Sequence, residues 1–351
     1  MNHMQKNFCS LILVIFLILG CMSFCPVSGE TGKTKIITDM GGNDVTIPAD
    51  IQRIIITCYG GATQEVAVMD GESKIIAQPP QSFPAFLKIY PDLTSVPDVG
   101  KFDELNIESI MELNPDVVIN SVTGSKGNAK LKENSIPVIQ VYTRKANLNN
   151  IYNEFRMVGD LLNEPVRAEQ LISYWDEKKG LLHERISKIP KDKRKTVYYM
   201  LGSPLHTNGE KWWGDSFVTI AGGINVAADI GDVRDINAEQ LAQWDPDLIV
   251  VSANEGSYVS DETINSDPQL AGLKAIKNGE VYHIPIGGFW WDRPSPESPL
   301  GFLWLAKTLY PETFSDIDMV KETKDFFSDF YGVELSDDEI NIILAAKDPS
   351  E

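Results

Sequence analysis

The chain has 351 residues, 43% of them apolar and 23% charged, with a formal net charge of −19. That length is enough for two lobes with separate cores. The acidic balance repels phosphate backbones and anionic headgroups, which excludes nucleic acid as a partner.

Lys6 precedes an uninterrupted apolar run from Leu11 to Leu19, the length of a signal-peptide core. Two exits follow it. Ile18-Leu19-Gly20-Cys21 has the form of a lipoprotein signal and would leave Cys21 as a lipidated N-terminus; Val27-Ser28-Gly29 is a small-residue site that places the cut before Glu30. Left uncleaved, Phe8 to Cys25 would serve as an anchor. Each reading puts the rest of the chain outside the cytoplasm, in a periplasm or on the outer face of the cytoplasmic membrane. Membrane contact is then only through a lipid or N-terminal anchor. Cys9, Cys21 and Cys25 belong to this segment, so Cys58 is the one cysteine of the body. Neither an internal disulfide nor a thiolate metal site is expected there.

Lys35–Thr38 and Val45–Ile47, around Gly41-Gly42-Asn43, predict an opening hairpin. Short apolar strands then alternate with helices: strands over 53–57, 74–77, 116–119 and 137–141, and helices over 63–69, 107–113 and 129–133. Fully apolar strands between helices indicate a mostly parallel sheet covered on both faces. A helix over 151–162 ends at Asn163-Glu164, and Pro165 opens a long helix to about Ile189. Leu171, Trp175, Leu182, Ile186 and Ile189 form its apolar face. A second α/β region carries strands at 196–200, 248–251 and 279–284. Its helices are 216–221 capped by Asp215, 295–310 opened by Ser295-Pro296, then 320–330 and 339–346. The plan is an export segment at 1–29, a first lobe at 30–162, a linker helix at 163–190 and a second lobe at 191–351.

The two regions share a repeat. Leu105-Asn106-Ile107-Glu108 through Asn114-Pro115-Asp116-Val117-Val118-Ile119 matches Ile236-Asn237-Ala238-Glu239 through Asp245-Pro246-Asp247-Leu248-Ile249-Val250. Each copy is a capped helix, a Pro-Asp turn and a buried strand. Two copies either side of a long helix predict lobes of similar build, with a small-molecule cleft between them.

Cleft residues belong on loops at the carboxyl ends of strands. In the first lobe that selects Tyr59, Gln81, Phe83 and Ser121 to Lys126. In the second it selects His206 to Trp213, Asn254 to Tyr258 and Gly287 to Arg293. The aromatic residues Trp212, Trp213, Tyr258, Trp290 and Trp291 could wall a chelate or macrocycle, or could plug the loops from beneath. Arg293 could pair with carboxylate or hydroxamate oxygens, or form an ion pair with Asp292. His183 falls on the linker helix and His283 in a strand, so a bare zinc or manganese site is not expected. His206 is a candidate axial ligand to a chelated metal, or an ordinary loop histidine.

Asp39 to Pro48 with Arg53-Ile54, both Pro-Asp repeats, Ala221-Gly222-Gly223-Ile224-Asn225-Val226, and Trp291-Asp292-Arg293-Pro294-Ser295-Pro296-Glu297 with Leu300-Gly301 and Trp304-Leu305-Ala306-Lys307 occur in one order. In that order the chain resembles the substrate-binding proteins of ABC importers for iron-siderophores, haem and cobalamin, over nearly everything after the export segment. The resemblance implies two Rossmann-like α/β lobes joined by one rigid helix, the counterpart being the helix from Pro165. It implies a monomer with a permease and its ATPase as partners, no enzymatic activity and no cofactor. The ligand implied is a metal chelate, iron-siderophore first, with a corrinoid, haem or nickel chelate as alternatives. Tyr59 could ligate a metal as phenolate, as in haem binders of that family, or donate a hydrogen bond. Glu108 and Glu239 would dock on permease arginines, although each also suits its helix N-terminus. The rival classes are an exported metal-dependent or serine hydrolase and a chelate sensor that does not transport. The chain has no Gly-x-Ser-x-Gly elbow, His-Glu-x-x-His or phosphate-binding loop motif.

Overall fold

The computed structural model describes residues 32–81, 83–143, 146–253 and 259–346. The export segment and Tyr258 therefore lie outside the described residues. Residues 33–351 form one compact unit. It opens on the hairpin β1 (Thr34–Thr38) and β2 (Asp44–Pro48), paired antiparallel. The first lobe then runs β3 (Ile54–Ile56), α1 (Ala62–Val68), β4 (Ile75–Ala77), α2 (Pro84–Ile89), the ribbon β5 (Gly100–Lys101) and β6 (Glu104–Leu105), α3 (Ile107–Leu113), β7 (Val117–Ser121), α4 (Ser125–Glu133) and β8 (Val138–Val141). α5 (Ile151–Leu162) leads into α6 (Pro165–Ile186).

The second lobe runs β9 (Thr196–Leu201), β10 (His206–Thr207), α7 (Trp213–Ile220), β11 (Ile224–Asn225), β12 (Arg234–Asp235), α8 (Ala238–Trp244), β13 (Leu248–Ser252), α9 (Asp261–Ser266), α10 (Lys274–Asn278), β14 (Val281–His283) and α11 (Ser298–Leu309). α12 (Met319–Tyr331) and α13 (Asp337–Leu344) close it.

Each lobe holds a four-stranded parallel sheet, ordered β4-β3-β7-β8 and β11-β9-β13-β14. Counted by appearance in the chain, both orders are second-first-third-fourth, so the sequence repeat is a topological repeat. Its local chemistry repeats as well. Asn106 and Asn237 cap α3 and α8 by accepting from the amides of Ser109 (3.1 Å) and Gln240 (2.8 Å). Asn114 and Asp245 end those helices at φ 44° and 37°, a left-handed conformation that these two residue types tolerate better than most. The following aspartates then tie the turn to the first strand: Asp116 accepts from the amides of Gln52 and Arg53, and Asp247 from that of Thr196.

The strands β3, β7, β9 and β13 are buried and mostly apolar on both faces because helices cover both sides. α6 spans about 33 Å at 1.5 Å per residue and carries the fully buried Trp175 at its middle. That ring meets Tyr152 and Phe155 of α5 on one side and Trp213 and Phe302 of the second lobe on the other, at centroid distances of 5.7–6.3 Å. At the start of α6, Arg167 donates to the carbonyls of Val68 (2.6 Å), Asp329 (3.1 Å) and Phe330 (2.9 Å), joining α6 to the ends of α1 and α12. The chain's last helices thus touch first-lobe elements, and an ion pair between Lys88 of α2 and Glu339 of α13 adds to that contact.

Several boundaries differ from the sequence reading; α4, for one, begins at Ser125, ahead of the expected Ala129. α6 stops at Ile186, three residues short. α7 begins at Trp213 behind an extended Trp212, so Asp215 sits inside the first turn and accepts from Asn225 (3.0 Å) instead of capping. α11 begins at Ser298, because the Ser298 hydroxyl donates to the Arg293 carbonyl (2.6 Å) and so holds residues 293–298 in a turn.

Candidate functional site

A second-first-third-fourth strand order reverses direction between the first and third strands, and the crevice outside their carboxyl ends is where open α/β sheets bind ligands. In the first lobe that crevice lies past β3 and β7. The chain leaves β3 through Cys58-Tyr59-Gly60-Gly61, and both glycines have positive φ, 101° and 94°. A Cβ on Gly60 would stand 2.7 Å from that of Thr143, so only glycine lets this turn pass the end of β8.

Two cavities open here. The first, about 250 Å³, is lined by residues 58–64, Pro80, Gln81 and Phe83 of the first lobe and by Phe289 and Trp290 of the second. The second, about 460 Å³, is lined by Phe102, Thr123, Thr143, Ala146 and Asn147 of the first lobe, and by Glu210, Lys211, Trp212, Trp213, Ser216 and Asp232 of the second. Arg293 stands between the tryptophans of the two cavities. Its guanidinium carbon is 5.1 Å from the Trp212 ring and 5.5 Å from the Trp290 ring. The guanidinium is buried and paired with Asp292, Nη1 to Oδ2 at 2.6 Å. Nη1 also donates to Tyr199 (2.7 Å) and Ser252 (3.0 Å), and Nη2 to the Ala253 carbonyl (2.9 Å). Tyr199 in turn donates to Asp292. Burial opposes the guanidinium's charge, but Asp292 and Tyr199 outweigh it and hold its pKa above the ordinary value.

Tyr59, Gln81 and Trp290 line the first cavity and Trp212 the second, while Arg293 packs against both tryptophans without lining either cavity. Tyr59 is half-buried; Lys101 lies over its ring at 4.4 Å and donates to its hydroxyl at 3.3 Å. Gln81 is held by the Pro79 carbonyl (3.2 Å). Trp290 packs on Phe83 and Phe289 with centroids 5.0 and 5.2 Å apart. Three predicted residues stand elsewhere or deeper. Trp291 is fully buried, its indole donating to Glu297 at 2.9 Å, so the wall is Trp290 alone of that pair. Trp213 is 4% exposed and packs on Trp175 and Phe302, so it lines the second cavity as part of the core. His206 pairs with Asp235 (2.7 Å) in the β10–β12 ribbon and lines neither cavity. Among the described residues no cluster of three or more His, Cys, Asp or Glu side chains could hold a metal ion.

Sequence reasoning missed Lys101 and Phe102, which the β5–β6 ribbon delivers with no periodic signal. It also missed Thr143 and Asn147, although the strand-end rule applied to β8 selects that loop. Lys211 was inside the selected 206–213 stretch but was not singled out for its charge. Glu108 and Glu239 are exposed on the first turns of α3 and α8, as the repeat requires.

The profile of the family described as "Periplasmic binding protein" matches residues 56–286. The chain belongs to this family. Members are substrate-binding proteins of ABC importers and work outside the cytoplasm; its relatives are solute binders and not enzymes. A periplasmic solute binding protein from Veillonella parvula superposes with a TM-score of 0.80 at 31% identity, covering 89% of this chain and 97% of that one. The molybdate-binding protein MolA of Haemophilus influenzae is 28% identical over 91% of this chain and 95% of its own length. Its molybdate-bound structure gives a TM-score of 0.75 at 25% identity, covering 86% and 99%. The Fe(3+)-citrate-binding protein YfmC of Bacillus subtilis is 24% identical, covering 78% and 86%. The fold is thus the two-lobe α/β fold of periplasmic binding proteins.

Proposed function

We propose that this periplasmic binding protein captures an anionic metal complex, an iron chelate first, in the cleft described above and delivers it to a membrane permease driven by its ATPase. The observation that carries the reading is Arg293, buried between Trp212 of the second cavity and Trp290 of the first. A fixed cation flanked by aromatic faces suits a ligand that is charged at its oxygens and flat or apolar elsewhere. Tyr59 and Lys101 add a phenol and an ammonium on the opposite lobe. The likeness to YfmC supports an iron chelate. The likeness to MolA supports a second reading, a bare oxyanion, for which the cations Lys101, Lys211 and Arg293 would count more than the aromatic walls. The chain works as a monomer without a resident cofactor, held to the membrane by a lipid on Cys21 or by its leader.

Tryptophan-fluorescence titration tests this against ferric citrate, ferric siderophores, haem, cobalamin, nickel-histidine and sodium molybdate. Saturable change with one of them, weakened at least tenfold by Trp290→Ala, is the expected result. No saturable change with any, or turnover of the added compound, sinks the reading. Glu108 and Glu239 would contact permease arginines, one per lobe. The double replacement Glu108→Arg/Glu239→Arg should abolish uptake in cells while leaving the titration unchanged. Normal uptake would reject those residues as the docking pair.

A further inference from the structure

We propose that Glu297 is the positioning residue of the ligand cleft: its buried side chain clamps residues 287–291 and so fixes Trp290 against the first cavity. The inference rests on that cleft being the ligand site. Glu297 is fully buried at the turn before α11 and reaches three donors. Oε2 accepts from the Gly288 amide (3.0 Å) and the Trp291 indole (2.9 Å), and Oε1 from the Tyr331 hydroxyl of α12 (2.7 Å). The carboxyl lies so close to the loop that a Cβ on Gly287 would stand 2.1 Å from Oε2, and one on Gly288 2.7 Å from Oε1. Both positions therefore admit only glycine while Glu297 is in place. The other end of Gly288 is held from the first lobe, where Gln64 donates to its carbonyl at 3.0 Å. Gln64 and Phe289 both line the first cavity. The loop carrying Phe289 and Trp290 is thus bound to α12 through Glu297 and to α1 through Gln64, while an isolated bridge between Ile286 and Trp290 closes its neck.

An acceptor is needed here more than a charge. Burial pushes the Glu297 carboxyl up to about 7, against the opposing hydrogen bonds from Tyr331, Trp291 and the backbone of Gly288 and Phe289. Tyr331 can donate to a carboxylate or accept from a carboxylic acid, so Oε2 keeps both loop donors in either state. Glutamine reproduces the acid form: its carbonyl faces Gly288 and Trp291, and its amide donates to Tyr331. Leucine has the size but no acceptor, which leaves two buried N–H groups unpaired.

The test compares Glu297→Leu with Glu297→Gln by two readouts. The first needs no ligand: hydrogen exchange of the Gly288 amide and the Trp291 indole. The second is the affinity for ferric citrate and for sodium molybdate, with and without Trp290→Ala. Glu297→Leu should speed exchange at both sites at least tenfold and weaken the bound probe at least tenfold, while Glu297→Gln stays within twofold of the parent on both. In a Trp290→Ala background Glu297→Leu should cost less than threefold, since its effect runs through that ring. Unchanged exchange in Glu297→Leu, or the same loss of affinity in both backgrounds, overturns the proposal. If Glu297→Leu does not fold, Tyr331→Phe decides: faster exchange at Gly288 supports the clamp and unchanged exchange overturns it. If neither probe binds the parent, the iron-chelate and oxyanion readings lose these probes, and the exchange arm alone decides the clamp.

Discussion

Asp292 and Arg293 form an ion pair with 1% and 8% of their side chains exposed, and this pair separates structural from binding roles in the cleft. At 2.6 Å and an effective dielectric constant of about 20, the Coulomb attraction is roughly 6 kcal/mol, and desolvation of both ions offsets much of it. The pair therefore contributes little net stability. Removing one member is a different matter, because the other is left buried and uncompensated at a cost of about 3–5 kcal/mol. Asp292→Asn and Arg293→Met should each lower stability by that amount in urea unfolding followed by circular dichroism. The double variant Asp292→Leu/Arg293→Met should recover most of the loss. The double variant should bind no ferric citrate or molybdate, although it folds. Additive losses in the double variant, or a single-variant cost below about 1 kcal/mol, would refute the account of a buried, mutually dependent pair.

Trp175→Ala should cost about 3–5 kcal/mol in the same unfolding assay, because the ring fills the space between α5 and the second lobe and donates to the Pro296 carbonyl at 3.2 Å. Gly180 lies exposed inside α6, and a Cβ there would meet no atom within 4 Å, so Gly180→Ala should raise stability by about 0.5–1 kcal/mol. Gly127→Ala should instead destabilise by at least about 1–3 kcal/mol, since its Cβ would fall 1.9 Å from the Phe102 carbonyl. Glu154, buried beside Glu65, has its carboxyl pushed up to about 7 by burial, against the Tyr142 amide that donates to it. A raised folded value means this group's contribution is fully present below about 4.5 and is lost as pH rises through about 7. Glu154→Gln should therefore flatten the fall in urea midpoint between about pH 5 and about pH 8.

Local sequence determined the class of fold, since apolar strands between helices can be buried only in a covered parallel sheet. It also determined the internal repeat. Asn106 and Asn237, then Asn114 and Asp245, then Asp116 and Asp247, each act within a few residues or on the adjoining strand, so identical local chemistry appears twice. Strand-end position selected Tyr59, Gln81, Trp212 and Trp290, which line the two cavities, and Arg293, which packs against both tryptophans. It could not tell Trp290 from Trp291, which are adjacent in sequence and differ by which one Glu297 draws inward. Nor could it settle Arg293, whose hydrogen-bond partners are Tyr199 within β9 and Ser252 and Ala253 at the end of β13. Lys101, Thr143 and the return of α12 and α13 to the first lobe depend on contacts between distant segments. Periodicity and capping report the surroundings of one element at a time, whereas a cleft is made where several elements end, and only the packed chain brings those ends together.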